Sequence, residues 1–255
     1  MNLTLDSQFS FSNPTMVPLQ SVNTIASNSV LVVAPHPDDE TLGCGGAIAL
    51  LRALDCDVQV LVISDGTLSH PRSVKYPAPC LRILRESETL AALAVLGLGE
   101  TEISFLRLQD GSISNLESIR LREAVAHCSR FLQTSMPATI FLPWRFDPHP
   151  DHRATWQLIH TALVDFKRVD LAYSPRLIEY PIWDWDAEQR GHFGCEQVSA
   201  WRLDISTVLE MKIRAIAAYR SQTTDLIDDD PEGFRLTPKM LENFAQPWEL
   251  YLEEI

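Results

Sequence analysis

Apolar residues recur along this chain in two alternating rhythms, and the alternation predicts its elements. Residues 1–29 show neither rhythm: they are polar, rich in Ser and Asn, and read as a loosely structured N-terminal arm ahead of one domain over 30–255. Residues 30–34 form a short continuous apolar run, as in a strand buried on both faces. Ala47, Leu50, Leu51 and Leu54 then recur at helical spacing. A second strand is predicted over 58–63, closed by the turn pair Asp65-Gly66. Helical spacing returns over 81–95, with Gly97 suited to the C-terminal cap. A third strand spans 103–106 and is followed by Asp110-Gly111. Ser114 and Glu117 have capping-box spacing and open a helix predicted to reach Gln133. Strand 139–142, helix 153–167, strands 177–182 and 201–205, and helices 208–219 and 238–244 complete the series.

Strand and helix alternate at least four times. Parallel neighbours need a crossover connection, so the pattern predicts an α/β fold with a mainly parallel sheet and helices on both faces. No internal repeat or low-complexity linker divides it, and one domain is the simplest reading.

Composition narrows the function. With 45% hydrophobic residues among 255, a substantial core can be buried. The net charge of −13 argues against a nucleic-acid binder and against attachment to anionic lipid. No Lys or Arg precedes Arg52, so the start lacks the basic region of a secretory signal, and no apolar run is long enough for membrane insertion. Cys44, Cys56, Cys80, Cys128 and Cys195 are odd in number and scattered, unlike a disulfide framework. These features together predict a cytoplasmic protein.

The candidate chemistry lies in two clusters. Pro35-His36-Pro37-Asp38-Asp39-Glu40 follows the first strand, and Asp147-Pro148-His149-Pro150-Asp151-His152 follows the fourth. In a parallel sheet the loops beyond the carboxyl ends of strands gather at one edge, so the two can meet. His36, Asp39 and His152 offer two nitrogens and one oxygen, a set suited to catalytic Zn²⁺ and compatible with Fe²⁺. Asp38 would remain as a free carboxylate able to take a proton from water that the ion has acidified to a pKa of about 7. His149 is placed to stabilise an oxyanion or to protonate a leaving nitrogen, with Asp151 orienting its ring. An Asp-Asp-Glu run after a strand also suits simple helix capping, but two His/Asp clusters at equivalent strand ends do not.

The run from Ala34 to Gly46, together with His149-Pro150-Asp151-His152, resembles the LmbE-like/PIG-L family of zinc-dependent N-deacetylases. Arg85-Glu86-Ser87-Glu88 is similar to that family's Arg-x-x-Glu, and Phe105-Leu106 followed by Asp110-Gly111 to the end of its third strand. The resemblance covers roughly 30–160 and implies a Rossmann-like α/β domain. It implies hydrolysis of an N-acyl, chiefly N-acetyl, amide on a small amino-sugar-like substrate, releasing free amine and carboxylate. It also implies His36, Asp39 and His152 as ligands of one zinc ion, Asp38 as general base and His149 as electrophilic or acid partner. Arg85, and secondarily Asp110, would contact the substrate. Asp147 stands where some members carry a mobile Tyr, which leaves the oxyanion to zinc and His149 or to a group the sequence does not reveal.

Two rival functions use the same residues: a non-haem iron enzyme, and a catalytically idle carbohydrate-binding module. The first would need an oxygen-dependent reaction, and the second has no use for Asp38. Gly43-x-Gly45-Gly46 has the wrong spacing for a dinucleotide fingerprint and suits close helix–sheet approach instead. Trp183, Trp185 and Trp201 are read as core packing, with a sugar platform as the alternative. The acidic stretch 225–230 is read as a solvated turn, with a lid carrying Arg220 or Gln222 as the alternative. Specificity is expected in loops 67–80 and 183–200, and association into oligomers is compatible with the sequence.

Overall fold

Side chains of the central strands divide between two cores. In β2 (Ser29–Ala34), Val30, Val32 and Ala34 enter one apolar cluster while Leu31 and Val33 enter another. In β3 (Asp57–Ser64), Val58, Val60 and Val62 likewise part from Leu61 and Ile63. This is the period of two expected of a sheet covered on both faces. The computed structural model describes Phe11, residues 13–185 and residues 198–255.

Six further strands complete the sheet: β1 (Leu19–Gln20), β4 (Ile103–Leu108), β5 (Thr139–Pro143), β6 (Arg176–Tyr180), β7 (Val198–Asp204) and β8 (Trp248–Glu254). Their order is β1-β7-β8-β6-β5-β2-β3-β4. Strands β6, β5, β2, β3 and β4 are parallel, whereas β8 runs antiparallel to both β6 and β7. The helices are α1 (Asp39–Ala53), α2 (Ala78–Val95), α3 (Ser118–Ser135), α4 (Pro150–Lys167), α5 (Leu209–Ile216), α6 (Arg220–Thr223) and α7 (Pro238–Phe244). Helices α1, α2 and α5 supply the first core, and α3 with α4 the second. The fold is the α/β arrangement that the alternation predicts, and it is Rossmann-like as the resemblance implies.

The order of strands decides where the two motifs go. From β2 the chain builds outward to β3 and β4, then returns to place β5 on the other side of β2. Strands β2 and β5 pair directly, Val30 with Thr139 and Val32 with Phe141, so the loops that follow them emerge side by side. Such a reversal of strand order is where open α/β sheets bind ligands.

Several local expectations are corrected. Ser114 and Glu117 form no capping box: Ser114 lies in a one-turn 3₁₀ helix, and α3 starts after Glu117 without a side-chain cap. Within the described part of the leading segment, Leu19–Gln20 form β1, which adds to β7, and Ile25 is buried. Residues 208–219 form α5 and a turn rather than one helix. Strand β8 has no counterpart in the prediction; the Leu-Tyr-Leu run beside paired Glu residues lacks a clean period of two. Gly97 does terminate α2, at a φ of +91°. No helix among the described residues is long and apolar enough to cross a membrane.

Candidate active site

Helix α1 begins one residue beyond the turn that follows β2, which sets Asp38 at its N-cap and Asp39 in its first turn. Helix α4 begins likewise after β5, with His149 at the N-cap and Asp151 and His152 in the first turn. The capping explanation fails for Asp38, whose side chain accepts no N–H of the helix.

Three atoms converge between the two helix starts. His36 Nδ1 lies 3.1 Å from Asp39 Oδ2, His152 Nε2 lies 3.2 Å from the same oxygen, and the two ring nitrogens are 3.3 Å apart. Ligands about 2.0–2.1 Å from a tetrahedral zinc ion stand about 3.3 Å from one another. The donor triangle therefore has the size that such an ion requires. His36 also belongs to two wider groupings, with His149 and His152 and with Asp110 and Asp151, whose ligand atoms lie within 4.8 Å of one another. The Asp39 triangle is the tighter one.

Each histidine of the triangle meets a carboxylate on its other nitrogen. His36 Nε2 lies 3.2 Å from Asp110 Oδ1 and 3.5 Å from Asp151 Oδ2. His152 Nδ1 lies 3.3 Å from Asp147 Oδ1, close enough for an ion pair though not aligned as a hydrogen bond. Carboxylates in this position orient metal-binding imidazoles and raise their basicity. Asp147 also accepts from the backbone N–H of His149 at 2.8 Å, Ile182 at 3.2 Å and Trp183 at 3.1 Å. Sequence reasoning gave this fully buried Asp no role. Its signal was present: an Asp two residues before a helix N-cap, with a ring one turn further on.

Electrostatics follow from these contacts. Burial works to raise the pKa of Asp39, but the charges of His152 and His36 outweigh it and hold the carboxyl far below its usual range. Burial opposes protonation of His152, yet Asp147 and Asp39 bring its pKa up to about 9. His36 is also raised, through Asp110, Asp151 and Asp39 against its burial. Asp38 is pushed up to about 8 by burial, which Arg85 opposes and Asp39 and Glu40 reinforce. His149 is brought down to about 4 by burial and by the charges of His152 and His36.

The remaining predicted residues are present with altered partners. Arg85 lines the cavity above the triangle, but its guanidinium is turned onto the protein. Nη1 donates to Gly66 O at 2.9 Å, and Nη2 donates to Pro37 O at 2.5 Å and to Asp38 Oδ2 at 3.1 Å. Asp110 reaches the cavity while its carboxylate engages His36 and accepts from Leu68 N at 2.8 Å. The Asp151 carboxylate does not orient His149. It accepts from Gly111 N and Ile113 N at 2.7 and 3.1 Å, and the backbone N–H of Asp151 holds His149 Nδ1 at 3.2 Å.

Trp183 and Trp185 line the cavity, whereas Trp201 is core. Gln222 lies at its wall, and Arg220 does not. Of the acidic stretch, Asp225 and Asp228 are exposed as read, whereas Asp229 and Asp230 form a clasp. Asp229 accepts from Ser73 Oγ, Val74 N and Lys75 N at 2.7–2.9 Å, and Asp230 accepts from Arg72 N at 2.9 Å. Cys44, Cys56, Cys80 and Cys128 are free thiols; Cys195 and most of loop 183–200 lie outside the described residues.

Known proteins resemble this chain over most of its length. The chain is 28% identical over 200 residues to diacetylchitobiose deacetylase of Thermococcus kodakarensis, covering 76% of this chain and 69% of that protein. It is 28% identical over 208 residues to a probable N-acetyl-alpha-D-glucosaminyl L-malate deacetylase 2 of Bacillus subtilis, covering 81% and 88%. Among solved structures, the conserved protein TT1542 of Thermus thermophilus superposes with a TM-score of 0.54 at 30% identity, over 77% of this chain and 80% of that one. Residues 31–163, just over half of the chain and both motif loops, match the family described as PIG-L, GlcNAc-PI de-N-acetylase. The chain belongs to the PIG-L family.

Proposed function

We propose that the chain is a zinc-dependent N-deacetylase that hydrolyses the acetamide of a small N-acetylated amino sugar. One observation carries this reading: the triangle of His36 Nδ1, Asp39 Oδ2 and His152 Nε2, with edges of 3.1–3.3 Å and a carboxylate behind each imidazole. The relatives' names point to the same chemistry. An ion held there would act as a Lewis acid on the amide carbonyl and acidify the attacking water.

The chain's own groups supply the proton transfers. Asp38, adjacent to the triangle and outside it, takes the proton from the attacking water, and Arg85 Nη2 holds the carboxylate in place. His149 accepts at Nδ1 from Asp151 N, which leaves the proton of the neutral ring on Nε2. That N–H donates to the developing oxyanion, and the departing nitrogen gains the proton that Asp38 received. Asp147 stands in place of any tyrosine at this point and acts on His152, which leaves His149 as the chain's own donor to the oxyanion, beside the charge that a bound ion would supply. Arg85 positions Asp38 first and meets sugar hydroxyls with the N–H groups that remain.

The test is release of acetate and free amine from N-acetylglucosamine and its conjugates. Zinc-loaded protein is expected to be active, inactive after exhaustive chelation, and restored by Zn²⁺. Full activity in metal-free protein would refute the metal site. A requirement for Fe²⁺ with oxygen consumption would favour the iron reading instead.

A further inference from the structure

The cavity over the triangle is larger than one N-acetyl sugar needs. It encloses about 1050 Å³, at the upper limit of cavities that take drug-sized ligands. Asp38, Arg85, Asp110 and His149 are polar groups of its lining beside the chemistry. Gln222, Arg235, Thr237, Lys239 and Asn243 add further polar groups to it. Much of the rest is Ile182, Trp183, Phe234, Leu236, Met240 and Phe244. Trp183, Phe234 and Met240 are only partly buried and rest on a core cluster that contains the other three, so the wall is firm yet presented to the cavity.

Trp183 joins this wall to the chemistry. Its ring stacks over His149, centroids 6.2 Å apart at 23°, and meets Phe234 edge-on at 5.4 Å. The apolar surface thus begins beside the group that faces the reacting amide. The wall is also preformed: Phe234 N donates to Ser69 O at 2.6 Å, and the Asp229 and Asp230 carboxylates hold the loop at 72–75. A second sugar ring could stack on Trp183 with Gln222 or Asn243 to meet its hydroxyls, so a disaccharide is the competitor to distinguish. The six apolar side chains favour a substituent whose burial needs no hydrogen bonds.

We infer that the substrate is an N-acetyl amino sugar carrying an apolar substituent, aryl or alkyl, which this wall binds; the inference rests on the deacetylase reading. The test compares kcat/KM of the zinc-loaded enzyme for N-acetylglucosamine, N,N'-diacetylchitobiose, and the phenyl and hexyl glycosides of N-acetylglucosamine. The two glycosides are expected to be preferred by about 10–10²-fold, the discrimination that a few buried methylenes or a ring supply. Phe234→Ala and, independently, Met240→Gln should bring that ratio toward one without loss of bound zinc. Equal efficiency on all four compounds, preference for the disaccharide, or a ratio unmoved by both substitutions overturns the inference and leaves the deacetylase reading intact. If no compound releases acetate, the deacetylase reading falls and calorimetric binding of the hexyl glycoside judges the wall. Binding weakened by Phe234→Ala then supports it, and absence of binding ends it.

Discussion

Asp38 and Asp39 are neighbours in the chain with opposite surroundings. Asp39 faces two imidazoles in the first turn of α1. Asp38 adopts φ 124° and ψ −29°, a conformation that side chains with a Cβ rarely take. Strain of this kind persists only where neighbours over-determine it. Here Glu40 accepts from Asp38 N at 3.2 Å, Tyr219 OH in turn donates to Glu40, and Arg85 grips both Pro37 O and the Asp38 carboxylate. The two residues should therefore separate cleanly under mutation. Asp39→Ala is expected to lose metal, as one of the three proposed ligands is gone. Asp38→Asn should keep metal and lose about 10²–10⁴-fold in kcat, the contribution of a positioned base. Metal content and kcat measured on the same preparations decide; metal-free Asp38 variants beside loaded Asp39 variants would exchange the roles. The sequence showed that both carboxylates belong near the site. It also offered Asp39 as the ligand with Asp38 free beside it, but it did not encode the backbone torsion of Asp38, which Arg85 and Glu40 fix from outside the turn.

At the scale of elements, α1 approaches the sheet as its glycines allow. A methyl at Gly46 would come within 2.5 Å of Ile205 Cγ2, and one at Gly43 would strike the Tyr180 ring. Behind this contact lies an ion pair that no local pattern announced. Glu249 of β8 accepts from Lys212 Nζ at 2.7 Å and from Gly46 N and Ala47 N at 2.7 and 2.8 Å, and both side chains of the pair are buried. Removing one member of a buried pair leaves the other charge uncompensated, so Lys212→Met is expected to destabilise the fold by about 3–5 kcal/mol. The double variant with Glu249→Gln should lose less than Lys212→Met alone. Urea unfolding of the three proteins checks this, and a loss within about 0.5 kcal/mol for Lys212→Met, ordinary for a surface change, would contradict it. The parallel strands and long helices were legible because each carries its own period. Strand β8 was not, since burial of its Glu249 is decided by Lys212 and by α1.

For the whole molecule, the triangle draws on two turns more than a hundred residues apart in sequence, with Asp110 contributed by the loop after β4. A ligand that binds only the folded state stabilises it by mass action. Zinc at about 1,000-fold over its Kd should stabilise by about 4 kcal/mol and raise the unfolding midpoint on the order of 10 °C. Asp39→Ala should abolish that shift. Asp147→Asn should shrink it, since loss of a carboxylate behind a metal-binding histidine weakens affinity by about 10–100-fold. Thermal scans with and without chelator read this independently of activity; an unchanged midpoint in the wild type would contradict a folded-state zinc site.

The sequence by itself determined the α/β class, the places of the two His/Asp turns at strand ends, and the donor types they offer. These follow from local periodicity and from chemistry carried within a few residues. Tertiary structure alone decided the rest. Pairing of β2 with β5 brought the turns together, and packing turned Asp110, Asp147 and Asp151 behind the imidazoles and Arg85 onto Asp38. Ile182, Trp183, Phe234, Leu236, Met240 and Phe244 came together as the apolar wall of the cavity in the same way. Such arrangements depend on which strands lie side by side and which rings fill the space between them, and those are contacts between residues far apart in the chain that no period along it encodes.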